Sequence, residues 1–199
     1  MKALTLLAAT LGLLAGCGGP VGEPLASARP GETAEQPAQT AGQSTAAPTT
    51  LTLPAIGIEA AQTIPTGLAD TGELEVPPLD RPEDIVYANW SPDLARDMPT
   101  ILASHVNGRD ASGEAIPGGF ARLAEVRQGD ELGLTRADGT SARYRVESTE
   151  TIDKDTFPTD QVYAPGPPGR VVLITCGGII DTEARSYESN VIVSAVAIP

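Results

Sequence analysis

Histidine, cysteine and aromatic side chains are scarce in this chain, which has one His, one Trp, two Cys and two Phe among 199 residues. Nothing has the spacing of a zinc motif, a phosphate-cradling glycine loop or a dinucleotide fingerprint, so no obligatory cofactor is expected. Basic residues are also few. Thirteen Lys and Arg face 26 Asp and Glu, a net charge of −13 that argues against nucleic acid as a partner and against an electrostatic hold on anionic lipid. That acidity fits a solvated surface and would favour basic partners. Internal repeats are absent, and so is any apolar run of the roughly 20 residues that a membrane-spanning helix needs. What is present is a hydrophobic content of 41%, enough for one core without disulfides.

The amino terminus reads as a targeting segment. Met1-Lys2 is a short positive region, and residues 3–14 are an apolar run too short to span a bilayer comfortably. It ends in Leu14-Ala15-Gly16-Cys17, which resembles the lipobox of bacterial lipoproteins, in which the cysteine is lipidated and begins the mature chain. Residues 1–16 are thus expected to be a signal peptide, and Cys17 to anchor the protein to a membrane through lipid. An ordinary secretory signal with a chance cysteine is the alternative. Both readings put the body of the protein outside the cytoplasm. Residues 17–50 are dominated by Ala, Pro, Gly, Thr, Ser, Gln and Glu and are expected to be a disordered tether with a span on the order of 30 Å.

Residues 51–199 have the size of one domain. Alternating or apolar stretches at 52–58, 71–76, 85–90, 100–106, 131–135, 142–147, 171–175 and 190–196 predict seven or eight short strands, the first a proline-bearing edge strand. Asp138-Gly139 is a hairpin signal, and Phe120 to Val126 suggests a helical turn. The expected class is all-β with one or two short helices, closed or nearly closed into a barrel.

The run Val171-Val172-Leu173-Ile174-Thr175 leads into Cys176-Gly177-Gly178. Read locally, it is a buried strand that stops at the cysteine, with a loop over 177–189 before the next strand. If Cys17 carries lipid, Cys176 has no disulfide partner, and an unpaired thiol in an exported protein points to reactivity. A Cys17–Cys176 disulfide and a buried structural thiol are the alternatives. The only histidine, His105, ends another predicted strand 71 positions earlier. A thiol and an imidazole are the minimum equipment for thiol nucleophilic catalysis, although that spacing alone fits a core histidine equally well.

The surrounding residues resemble a known family. Thr100-Ile101-Leu102-Ala103-Ser104-His105-Val106-Asn107, Phe120-Ala121-Arg122-Leu123, Gly129-Asp130-Glu131-Leu132, the Asp138-Gly139 hairpin with Tyr144-Arg145-Val146, Lys154 with Phe157-Pro158 and Val162-Tyr163, and Leu173-Ile174-Thr175-Cys176-Gly177-Gly178 together resemble the sortases. The continuation through Tyr187-Glu188-Ser189-Asn190-Val191-Ile192-Val193 is most similar to the actinobacterial class F group.

The resemblance implies an eight-stranded sortase β-barrel and a cysteine transpeptidase. Such an enzyme cuts a Leu-Pro-x-Thr-Gly-like sorting signal between Thr and Gly, holds the acyl fragment as a thioester, and passes it to an amine on peptidoglycan, a pilin or another surface molecule. It makes Cys176 the nucleophile, His105 the general acid/base and Thr175 a residue that seats substrate. The family's third site residue is an arginine after the cysteine. Arg185 is the only arginine there and is displaced from the expected place near Ser189 or Asn190, so Arg185 is the candidate for the oxyanion and Asn190 the reserve. A peptidase using water as acceptor and a non-catalytic peptide-binding lipoprotein remain as alternatives. Tyr87 and Trp90 read as packing residues, the proline-rich run at 165–169 as a stiff loop, and Asp153, Asp155 and Asp160 as solvated acids rather than a calcium site.

Overall fold

The computed structural model describes residues 46–70, 73–89, 98–166, 169–183 and 186–199. The signal peptide, Cys17, most of the tether, Trp90 and Arg185 lie outside the described residues. Ten strands run in chain order as β1 (Pro48–Leu53), β2 (Ile58–Thr66), β3 (Ile85–Ala88), β4 (Thr100–Ala103), β5 (Asn107–Arg109), β6 (Ala115–Pro117), β7 (Glu131–Arg136), β8 (Ser141–Asp153), β9 (Arg170–Asp181) and β10 (Ser186–Ile198). Eight of them close into a barrel in the order β1-β2-β3-β4-β9-β10-β8-β7, and β5 and β6 form a separate two-stranded ribbon. Closure leaves the barrel no open edge. Two neighbouring pairs are parallel, β2 with β3 and β4 with β9, and the other barrel pairs are antiparallel.

Period-two alternation sorts the side chains into two cores. Leu132 and Leu134 of β7, Tyr144 and Val146 of β8, Val171 and Leu173 of β9, and Val191 and Val193 of β10 fill the barrel interior with Phe120 and Leu123. The alternate residues point outward. Ala88 of β3, Ile101 of β4, Val172 of β9 and Ile192 of β10 form a second cluster on the outer face, against which Leu74, Ile152, Phe157, Tyr163 and Ile174 are partly buried. Part of that cover is the short helix α1 (Thr159–Val162), whose Val162 is buried. Val172 and Ile174 of this cluster share the face of β9 that carries Cys176.

Several local expectations are corrected. The first strand opens at Pro48, inside the span expected to be tether, and Pro54 ends it by starting a 3-10 turn (Pro54–Ile56) before β2. β1 pairs with β2 on one side and β7 on the other, so it is not an edge strand. The stretch from Glu73 to Pro78 makes only the isolated bridge Leu68 to Leu74 and otherwise runs as an extended strap. The helical turn expected over 120–126 is a 3-10 turn, Leu123–Glu125. Finally, β9 does not stop at Cys176 but continues to Asp181, so the supposed long loop is mostly hairpin.

Candidate active site

The parallel ladder between β4 and β9 pairs Thr100 with Val171, Ile101 with Val172, Leu102 with Leu173 and Ala103 with Ile174, a constant offset of 71 residues. The offset persists beyond the ladder. Ser104 N–H donates to the Ile174 carbonyl at 3.3 Å, and Thr175 Oγ1 donates to the Ser104 carbonyl at 2.8 Å. One residue further along the same register, His105, two positions past the end of β4, comes to the level of Cys176 on β9. Both positions share the outward parity of Ile101 and Val172, and both residues are half-buried.

Across the other edge of β9, Cys176 is paired with Asn190 of β10. Side chains directly opposite one another in an antiparallel pair project from the same face, with Cβ atoms about 4.5–5.5 Å apart. Cys176 and Asn190 are therefore neighbours on one face, and His105 lies in the segment that follows β4, the strand on the other side of β9. An imidazole stands on one side of the thiol and a carboxamide on the other.

His105 Nε2 donates to the carbonyl oxygen of Pro77, with the two atoms 2.5 Å apart. A carbonyl can only accept, so Nε2 carries the proton and, in the neutral ring, Nδ1 holds the lone pair. Pro77 belongs to the strap and is buried, unlike its neighbours. Four and six residues after the strap, the carbonyls of Pro82 and Asp84 both accept from Ser104 Oγ, at 3.2 and 2.7 Å. The residue before the histidine thus holds the chain that follows the strap.

The glycines after Cys176 make a bulge rather than a turn. Ser189 pairs with Gly177 and Tyr187 with Ile180, so β9 carries one extra residue there, and Gly178 has φ of +78°. A Cβ on Gly177 would stand 2.6 Å from Val191 Cγ2, and one on Gly178 would stand 2.7 Å from Ser189 Oγ. Beyond this bare stretch Asn107 Nδ2 donates to the Tyr187 hydroxyl at 2.8 Å, bridging from β5 to β10 across the strand that bears Cys176. Local patterns missed this bridge, because nothing in either residue's neighbours announces a contact spanning 80 positions.

Thr175 is only 4% exposed and has the inward parity of Leu173. Its hydroxyl donates to the Ser104 carbonyl, which carries the β4–β9 register one step past the ladder. Asp153 Oδ1 accepts from Ser189 Oγ at 2.9 Å, and among the described residues no group of three or more His, Cys, Asp or Glu could hold a metal ion. Tyr163, beside the outer cluster, has its phenol pKa raised by burial and stays protonated. No described helix is long and apolar enough to cross a membrane.

Comparison with known proteins agrees with this fold. A model described as a sortase domain matches residues 51–198. Among solved structures, the chain is similar to a pilus-related sortase C of Group B Streptococcus, with 16% identity and a TM-score of 0.52 over 77% of this chain and 68% of that one. A sortase C of Streptococcus pneumoniae matches at 16% identity and a TM-score of 0.52, covering 76% of this chain and 68% of that chain. Sortase C1 of Streptococcus suis does so at 16% and 0.53, covering 76% and 73%. At such identities the likeness is one of fold. No curated protein matches the sequence. The barrel order and the family match, which spans nearly all of the described residues, lead to one conclusion: the chain belongs to the sortase family.

Proposed function

We propose that this chain is an extracytoplasmic cysteine transpeptidase of the class F type, anchored through a lipid on Cys17, that cleaves a Leu-Pro-x-Thr-Gly-like signal between Thr and Gly. The observation that carries the reading is that Cys176 pairs with Asn190 on one side and, on the other, continues the β4–β9 register that leads to His105. The Cys176 thiolate adds to the threonine carbonyl carbon, and the oxyanion accepts a hydrogen bond from the Asn190 amide. The C–N bond then breaks, the glycine nitrogen leaves with a proton from His105, and a thioester remains on Sγ. An incoming amine attacks that carbonyl and gives its surplus proton back to His105, which releases the thiolate. The Pro77 carbonyl holds Nε2–H throughout, so that Nδ1 is the nitrogen that gives and takes the proton.

The donor peptide lies over Ile174 toward the partly buried Ile152, Phe157 and Tyr163, whose apolar surface suits the Leu-Pro end of the signal. Water in place of the amine would make the protein a peptidase through the same thioester. Release of the glycine-bearing fragment from such a peptide by the wild-type chain, and its loss in a folded Cys176→Ala variant, tests the proposal. Undiminished release in that variant would remove the nucleophile from the account.

A further inference from the structure

His105 lies where three stretches of chain are pressed together, residues 79–83, 104–106 and 118–120. The β5–β6 ribbon leaves the chain two residues after the histidine and then returns to it. Its pairing of Arg109 with Ala115, Gly108 with Ile116 and Asn107 with Pro117 does not end there. Gly118 N–H donates to the Val106 carbonyl and Phe120 N–H to the His105 carbonyl, each at 3.1 Å. Phe120 is buried in the barrel core, so the returning chain is anchored at once.

The ribbon also holds the chain that leads away from the strap. Arg109 N–H donates to the carbonyl of Leu79, two residues past Pro77, at 2.9 Å, and Gly119 N–H donates to the Pro82 carbonyl at 2.8 Å. The Pro77 carbonyl and His105 Nε2, which meet in one hydrogen bond, are thus joined a second time through the ribbon. Three glycines make that brace possible. A Cβ on Gly108 would overlap the Leu79 carbonyl oxygen and the Pro82 ring, and one on Gly119 would stand 2.6 Å from Ser104 Oγ and 2.7 Å from the Glu83 carbonyl oxygen. On Gly118 it would overlap the His105 carbonyl oxygen and stand 2.6 Å from its carbonyl carbon and 3.0 Å from the His105 Cβ. None of the three has a positive φ, so what they supply is room for close backbone approach. Gly118 is the one pressed against the histidine itself.

We propose that Gly118 is a positioning residue for His105. The inference rests on the transpeptidase reading given above and adds to it a residue that touches none of the reacting atoms. The histidine is held at its carbonyl by Phe120, backed at its Cβ by Gly118 and bonded at Nε2 by Pro77. Fixed at those three points, the ring keeps one orientation, and Nδ1 stays available for the proton that the departing and arriving nitrogens exchange. A side chain at position 118 pushes the His105 backbone away from the brace and carries Nε2 out of reach of the Pro77 carbonyl.

The test uses the full-length chain and a Leu-Pro-x-Thr-Gly peptide. Gly118→Ala is expected to lower kcat about 10²-fold, the scale of a reacting group misplaced by about 1 Å, with the donor KM within about threefold of wild type. Long-range proton–nitrogen spectra of the single histidine should then show both tautomers of the neutral ring in place of the Nε2–H form alone. Gly133→Ala is the control, because a Cβ there would stand 2.5 Å from Thr52 Oγ1, on the barrel wall between β1 and β7. It strains the fold elsewhere and should leave both kcat and the tautomer as in wild type. A further variant adds no side chain: an ester in place of the Phe120 amide removes only the donor to the His105 carbonyl. It should lower kcat about two- to tenfold, the scale of one hydrogen bond, and shift the tautomer in the same sense.

Wild-type kcat and tautomer in Gly118→Ala, or in the ester variant should Gly118→Ala not fold, would overturn the proposal. So would a fall in kcat that Gly133→Ala reproduces, since the effect would then be lost stability alone. A raised donor KM at unchanged kcat would overturn it too and set Gly118 against the substrate. Should the wild-type chain form no thioester, the transpeptidase reading fails, and the tautomer measurement still decides whether Gly118 holds the ring.

Discussion

Thr175 Oγ1 and the Ser104 carbonyl oxygen are 2.8 Å apart, and each residue immediately precedes a member of the proposed catalytic pair, Cys176 and His105. Both residues are buried. The bond extends the 71-residue register of two parallel strands by one more step, and the next step is the site.

Thr175→Val keeps the shape and leaves the Ser104 carbonyl without its side-chain donor. The expected cost is about 1–3 kcal/mol of stability, together with a fall in kcat at little change in donor KM. Thr175→Ser should restore both, as read by denaturant unfolding and steady-state kinetics. A rise in donor KM at unchanged kcat would instead mean that the threonine touches substrate.

His105 is the only histidine in the chain, so its ring nitrogens give one unambiguous set of resonances. In the neutral ring, the contact with Pro77 predicts the tautomer protonated at Nε2. Long-range proton–nitrogen correlation spectra report this directly. An Nδ1–H tautomer would show that the strap does not orient the imidazole.

The bulge after Cys176 makes two glycines unequal in kind but similar in cost. Gly178→Ala forces a side chain onto a left-handed backbone, and Gly177→Ala presses on Val191. Each should lower stability by about 1–3 kcal/mol and misplace the Asn107–Tyr187 bridge. Tyr187→Phe, which removes only the hydroxyl, should cost about 1 kcal/mol, because it leaves the Asn107 amide to water. Thermal unfolding that leaves all three at the wild-type midpoint would contradict this reading of the hairpin.

Asn190 faces Cys176 across the β9–β10 pair. If its amide serves the oxyanion, Asn190→Ala lowers kcat by about 10²–10³, while Arg185→Ala stays within a few-fold. The reverse pattern would move the role to Arg185.

The existence of the strands was legible in the sequence because burial on one or both faces leaves a hydropathy pattern. Val171 to Thr175 and Asn190 to Val196 are instances, and the paired hydrophobics of β7 and β8 gave the hairpin through Asp138-Gly139. What the pattern could not carry was pairing between distant strands. Residues His105 and Cys176 were recognisable as chemistry, but their adjacency depends on a parallel register set over 71 positions.

Cys-Gly-Gly was ambiguous for a different reason. Glycine permits both a turn and a bulge, and only the partner strand decides between them. The Pro77 contact had no side-chain signal at all, since the acceptor is a backbone carbonyl.

The most direct test of the account is intact-protein mass spectrometry of the full-length chain after mixing with a Leu-Pro-x-Thr-Gly peptide, before and after adding a primary amine. The account predicts an added mass equal to the peptide through threonine, located on Cys176, sensitive to hydroxylamine as a thioester is, and discharged onto the amine. Cleavage of the peptide with no such adduct, or with the adduct formed equally in a Cys176→Ala chain, would contradict it.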